Sequence, residues 1–250
     1  MNAMQFKSIW TREERAAFAG WDFSRLDGRW ESDPLPWNYA RIVRENLRAM
    51  DELLDIGTGG GEFLLSLGHP HARTSVTEEY PPNVALCRQK LVPLGISLGV
   101  PQDDKLPFGD ARFDLVIDRH EAYDPAEVFR VLRPGGRFIT QQVGGENNRE
   151  LSQRLIDGFT PAFEHVTLEA GVAGLEESGF CVLRAQEARP ALRFFDVGAL
   201  VYFAKIIEWE FPGFSVETAF DRLLGCQREI EERGFVGSTE HRLLIAAQKP

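Results

Sequence analysis

The stretch at residues 53–63, LLDIGTGGGEF, constrains this chain more than any other. A short apolar run ends in Asp55, glycines occupy alternate positions at Gly57, Gly59 and Gly61, and a helical pattern through Phe63, Leu64, Leu65 and Leu67 begins at once. The pattern predicts a strand, a tight loop and a helix start. Glycine in such a loop can take φ > 0 and lets a ligand lie against bare backbone where a Cβ would collide. The free N–H groups of the helix start face whatever binds there. The stretch therefore suits a ligand the size of a nucleotide. It is not the dinucleotide fingerprint G-x-G-x-x-G, because Glu62 or Leu64 stands where the third glycine would fall.

Beyond the glycine loop, strand and helix alternate. Residues 74–77 read as a second strand ending in Glu78 and Glu79, ahead of Pro81, Pro82 and a helix through Val84 and Leu91. In a doubly wound sheet an acid at that point can accept both ribose hydroxyls of a nucleotide. Glu78 fills the position, and a slip of one residue would exchange it for Glu79. Residues 96–100 read as a third strand and 113–118 as a fourth, apolar enough to be buried on both faces. The fourth ends in Asp118, Arg119, His120 and Glu121. Carboxyl ends of parallel strands face the ligand crevice, so His120 could act as a base at neutral pH, or could simply bond a loop. Asp124, Pro125 and Glu127 mark a helix start. The turn LRPGGRF leads to a fifth strand at 137–143; a helix at 168–178, stopped by Gly179, and strands at 180–188 and 241–248 complete the pattern.

An acid two residues ahead of three alternate glycines resembles the D-x-G-x-G-x-G motif of the class I S-adenosylmethionine (SAM)-dependent methyltransferases. The Leu106-Pro107-Phe108 turn before the fourth strand and the L-R-P-G-G turn before the fifth resemble that family as well. The resemblance runs from about residue 53 to 143. It implies an α/β fold: a doubly wound, mostly parallel seven-stranded sheet (Rossmann-like methyltransferase fold) with the last strand antiparallel. It further implies SAM as cofactor, held by Asp55, Gly57, Thr58, Gly59 and Gly61, with Glu78 or Glu79 at the ribose and Asp103 or Asp104 at the adenine. The reaction implied is methyl transfer to a nucleophile, with no metal required.

The chain departs from the family between its last two strands, where about 50 residues replace a short hairpin. We expect an N-terminal helical cap at 1–50, a SAM-binding core at 51–188, a helical insertion at 189–238 and the last core strand at 239–250. Within the N-terminal part, residues 6–20 read as a helix closed by Gly20 and residues 37–50 as another. Between them Trp21, Phe23, Trp30 and Trp37 either seal the sheet or line the substrate pocket. The insertion carries Phe194, Phe195, Tyr202, Phe203, Trp209, Phe211, Phe214 and Phe220 on two expected helices, the second begun by Ser215 and closed by Gly234. A lid over the substrate pocket is the first expectation for it, a subunit interface or satellite core the alternative.

The net charge of −10 argues against a nucleic-acid partner, which requires clustered cations. Together with the aromatic excess it favours a small-molecule acceptor. The alternatives are an RNA or protein methyltransferase and a non-catalytic SAM-binding module. No apolar run reaches the ~18 residues of a membrane helix, and no signal segment is evident at the start, so a cytoplasmic protein is expected. Cys87, Cys181 and Cys226 lie far apart, without C-x-x-C pairing, and read as buried thiols rather than a disulfide or zinc site. Nothing in the sequence fixes an oligomeric state.

Overall fold

The computed structural model describes residues 1–18, 23–102 and 105–250. Gly20, Trp21, Asp103 and Asp104 lie outside the described residues. In chain order the elements are α1 (Ala3–Glu14), β1 (Trp30–Ser32), α2 (Tyr39–Asn46), β2 (Leu53–Ile56), α3 (Glu62–Ser66), β3 (Thr74–Thr77) and α4 (Pro81–Lys90). Next come β4 (Ser97–Gly99), β5 (Phe113–Arg119), α5 (Pro125–Val131), β6 (Leu132–Val143), α6 (Arg149–Leu155) and α7 (Leu168–Glu177). The remainder is β7 (Cys181–Ala188), β8 (Ala191–Phe194), α8 (Val197–Ile206), α9 (Phe220–Arg233), β9 (Val236–Thr239) and β10 (Arg242–Gln248).

Packing divides the chain into two units. Residues 36–143, 166–187 and 242–250 form a sheet unit, and residues 1–35, 144–165 and 188–241 form a second, mainly helical unit. The helix expected near Trp37 therefore packs with the sheet, and residues 144–165 with the helical unit. The chain leaves the sheet unit after Val143, at the carboxyl end of β6, re-enters it for residues 166–187, and returns finally at Arg242, which is the register partner of Val143.

The sheet unit holds seven strands in the order β4-β3-β2-β5-β6-β10-β7. Strands β4, β3, β2, β5 and β6 run parallel, and β10 runs antiparallel to β6. This is the doubly wound sheet expected. Strand β2, beside the central β5, is buried at all four residues, as a parallel strand covered on both faces must be. Register aligns the functional ends: Ile56 lies beside Asp118, Asp118 beside Thr140, and Arg119 beside Gln141. Behind them Leu54, Ile56, Phe113, Val116, Val128, Leu132, Phe138 and Phe180 form a continuous core.

Local chemistry sets the turns. Asp124 caps α5 by accepting from Ala126 N at 2.9 Å, with Pro125 at the first helical position. Glu127 does not complete a reciprocal cap. Its carboxylate accepts from Leu106 N at 2.9 Å and pairs with Arg130, whose guanidinium also reaches the carbonyls of Leu106 and Phe108, so the L-P-F turn is tied to α5. At the L-R-P-G-G turn the β5–β6 register slips, from Phe113 opposite Leu132 to Leu115 opposite Arg137. Gly135, with φ +79°, donates its N–H to Lys249 O at 2.8 Å there.

In the helical unit β1, β8 and β9 form a small antiparallel sheet in the order β1-β8-β9. Helix α8 is buried at every position from Val197 to Ala204, capped by Asp196, which accepts from Ala199 N and pairs with Arg29. Around it Phe6, Trp10, Leu26, Leu151, Leu155, Phe194, Phe211 and Leu223 make a separate core. The insertion thus contributes strands β8 and β9 besides its two helices, and α9 opens at Phe220 after a turn begun by Ser215. Most of its aromatics are buried in this unit; Phe195 and Trp209 remain 38% and 45% exposed. The aromatic loop is split: Phe23 and Trp30 stack in this unit at 6.0 Å, whereas Trp37 is buried in the sheet unit. Of the three cysteines Cys87 and Cys226 are buried, but Cys181 is exposed, because it opens β7 at the sheet edge.

Phe138 is fully buried, with its ring 4.8 Å from that of Tyr123 and 6.4 Å from that of Phe180. Phe138→Ala is expected to cost the sheet unit about 3–5 kcal/mol, read as a lower urea midpoint with an unchanged slope. A loss under about 1 kcal/mol would mean that the core collapses around the gap.

Candidate active site

The loop after β2 is built from left-handed backbone. Gly57, Gly59 and Gly61 have φ of +62°, +59° and +79°, a region that L-residues adopt at a cost. Space also excludes larger residues: a Cβ at Gly57 would lie 2.5 Å from the Glu121 side chain, and one at Gly61 2.7 Å from Leu91 Cδ2. Thr58 N donates to Thr77 O at 3.0 Å, and Gly61 N donates back to Thr58 O at 3.0 Å. The loop is thereby pinned to the end of β3. The helix after it, α3, has only five residues.

Glu78 is the second anchor. Its buried carboxylate accepts from Gly59 N at 2.9 Å, from Glu79 N and Tyr80 N at 3.0 Å each, and weakly from Asn83 Nδ2 at 3.4 Å. Glu79 is exposed. The two acids left open by the sequence are thus distinguished: one is built into the loop and the other faces solvent.

Asp55, at the end of β2, is 4% exposed, and burial pushes its carboxyl from 3.8 up to about 7. The Thr58 hydroxyl and the Arg119 charge oppose that shift, and the charge of Glu78 adds to it. The hydroxyl reaches no hydrogen-bond geometry to any described group. On the neighbouring strand Asp118 is fully buried and its carboxyl is raised well above the usual range, again by burial first. Its Oδ1 accepts from Gln142 Nε2 at 2.7 Å and Glu121 N at 3.3 Å, while Oδ2 has no partner among the described residues. Glu121 is half-buried beside Gly57 and raised too, by burial and then by Glu79 and Glu78.

His120 takes φ +70°, left-handed backbone rare outside glycine, and its N–H donates to Gln141 O at 2.9 Å. Its ring Nε2 lies 3.1 Å from Gln141 Nε2. Its outer face is exposed, yet the surrounding protein, Arg242 and Arg119 all disfavour the imidazolium and push the ring down to about 3. Arg119 itself lies over the Phe63 ring at 4.6 Å.

The structure thus gathers Asp55, Gly57, Thr58, Gly59, Gly61, Glu78 and His120 at the carboxyl edge of β2, β3 and β5, with Glu79 at the rim. Several groups there had gone unremarked in the sequence. Tyr39, read only as part of an apolar helix face, sends its hydroxyl 2.9 Å from Asp118 O. Gln141 and Gln142 hold the 118–121 turn from opposite faces of β6. Two successive amides closing an apolar strand were the available signal.

Known proteins share this arrangement of loop and sheet. The family described as "Methyltransferase domain" matches residues 54–140, a span that includes the glycine loop and β2 to β6. A demethylmenaquinone methyltransferase of Thermus thermophilus is 31% identical over 116 residues, 42% of this chain and 53% of its own. The ubiquinone/menaquinone biosynthesis C-methyltransferase UbiE of Pseudomonas fluorescens is 26% identical over 141 residues, 51% of this chain and 55% of its own. Residues 54–140 therefore belong to this methyltransferase-domain family. The chain spans about half the length of either relative. Among solved structures, a candidate methyltransferase from Bacillus halodurans superposes with a TM-score of 0.55 at 17% identity, over 85% of this chain and 99% of its own, and so shares the fold.

In this chain the raised Asp55 makes stability depend on pH. The folded state keeps a proton on Asp55 between 3.8 and about 7 that the unfolded chain has lost. Stability therefore falls as pH rises through that window, and the penalty is complete above it. Asp55→Asn should melt with the wild type near pH 4 and above it near pH 8, in thermal scans on ligand-free protein. Parallel curves across the range would contradict the shift.

Proposed function

We propose that the protein transfers a methyl group from SAM to a nucleophilic atom of a small, ring-bearing molecule. The observation that carries this reading is the glycine loop with the Glu78 carboxylate fixed against it. Left-handed backbone at Gly57, Gly59 and Gly61 leaves bare main chain for the methionine and ribose parts, with Thr58 between them. Glu78, rather than exposed Glu79, is the ribose acid, and the weak Asn83 bond at 3.4 Å is the one that sugar hydroxyls would displace. For the adenine the reading rests on sequence position alone, at Asp103 or Asp104.

Bound SAM supplies an electrophilic methyl. The chain's own part is to hold the nucleophile in line with it and keep water out. Small-molecule acceptors are favoured by the charge of −10 and by the two relatives, whose names refer to demethylmenaquinone and to ubiquinone/menaquinone biosynthesis. A quinone-type acceptor is therefore the first to try.

Calorimetry and thermal shift test the reading. At 100 times its dissociation constant a ligand adds about 2.7 kcal/mol, so SAM should raise the melting temperature by several degrees and NAD should not. Glu78→Ala should weaken SAM ten-fold or more, the loss of charged hydrogen bonds worth about 1.5–3 kcal/mol, while Glu79→Ala stays within two-fold. Stabilisation by NAD alone would refute the assignment. Methyl release from labelled SAM over a panel of quinols, phenols and amines identifies the acceptor, and binding without turnover on any of them would indicate a non-catalytic SAM-binding module.

We further propose that residues 189–238 act as a lid that selects the acceptor. The segment shares its core with Phe6, Trp10, Leu151 and Leu155, so deleting it would strand those side chains. Point variants at exposed positions are the proper probe. Phe195→Ala and Trp209→Ala should raise KM for the acceptor several-fold and leave SAM affinity alone; an unchanged KM in both removes the lid.

A further inference from the structure

The hydrogen bonds around His120 fix where its proton is. Trp37 Nε1 donates to Gln141 Oε1 at 2.9 Å. An indole N–H can only donate, so the atom facing it must be the amide oxygen, and the amide NH₂ must turn the other way. That NH₂ lies 3.1 Å from His120 Nε2. It too can only donate, so Nε2 must present its lone pair, and the proton of the neutral ring resides on Nδ1. An imidazolium would set one N–H against another. The positive charges of Arg119 and Arg242 act in the same direction.

Three further observations give this a purpose. Trp37 and Gln141 are 8% and 7% exposed, so the relay is dry and little water competes for it. His120 is exposed, and its Nδ1 has no hydrogen-bond partner among the described residues. The residue also sits in strained left-handed backbone at the carboxyl end of β5, one position from the Glu121 that abuts Gly57. Strain kept at such a place points to a function for the side chain.

Building on the methyl-transfer reading, we propose that His120 is a fixed hydrogen-bond donor to the methyl acceptor. Its Nδ1–H recognises a carbonyl, hydroxyl or phenolate oxygen on that molecule, and Trp37 and Gln141 are positioning residues that hold the tautomer. The lone pair that a general base would use is already occupied by Gln141. The acceptor favoured by this site therefore carries an oxygen next to its nucleophilic atom, and a plain amine lacking one is a poor substrate.

Two measurements test the proposal. Long-range ¹H–¹⁵N NMR of the His120 ring at neutral pH should show Nδ1 protonated and Nε2 bare, without any acceptor present. Gln141→Glu offers Nε2 a carboxylate in place of an amide NH₂ and should move the proton to Nε2. A wild-type ring protonated on Nε2, or on both nitrogens, overturns the proposal. The second measurement is turnover on whichever member of the acceptor panel is methylated. His120→Asn places an amide N–H where Nδ1–H was and tolerates left-handed backbone, so kcat/KM should stay within about five-fold of wild type. His120→Leu should lose ten-fold or more with SAM affinity unchanged. Equal losses in both variants would make His120 a base and overturn the donor assignment. A panel without turnover counts against the methyl-transfer reading, and the ring spectrum then decides the tautomer alone.

Discussion

The carboxylate of Glu78 ties together the two strand ends from which the site is made. It satisfies backbone N–H groups of the glycine loop on one side and of the turn into α4 on the other. Without an acceptor there, three donors at the centre of a buried edge would be left to water or to nothing, and such groups are expensive to orphan. The loop could not then keep three residues in left-handed backbone. The link also fixes how the main chain of Gly57 to Gly61 is presented at the strand ends.

The same edge concentrates acids that the fold does not fully compensate. Asp55 is pushed to about 7, and Asp118 lies still deeper with one oxygen unmatched among the described residues. An interior optimised for stability alone would not bury them so. The surrounding scaffold carries the cost: β2 is buried on both faces, and the Phe113, Phe138 and Phe180 core lies directly beneath. Perturbed carboxyls and a left-handed histidine at the end of an ordinary strand are features that packing alone does not call for.

The parallel sheet was legible because its signals are local and redundant. An apolar strand, alternate glycines and a terminal acid lie within a dozen residues, and the L-P-F and L-R-P-G-G turns repeat the message further along the chain. The helical unit was not, for physical reasons. Strands β1, β8 and β9 have three or four residues each, too few for an alternating pattern to emerge. Helix α8 is apolar all round because it is buried all round, so its sequence shows a helix and not what surrounds it. At the site, glycines and acids were found because their residue types are themselves the signal. Trp37 and Gln141 are 104 positions apart, and no periodicity relates an indole N–H to an amide across that distance.

Strand β10 lies between β6 and β7 in the sheet although it is the last of the three to be made. During synthesis, β6 and β7 must therefore wait with neighbouring edges unpaired while some fifty residues of another unit leave the ribosome. For that interval two strand edges have backbone N–H and C=O groups without a strand partner, the kind of edge that pairs with other chains. A helical unit that collapses early on its own core, around the buried Val197 to Ala204 of α8, would shorten the wait by bringing the start of β10 back toward the end of β6. Residues 189–241 lie between β7 and β10, so the sheet can be completed only after that whole segment has been made.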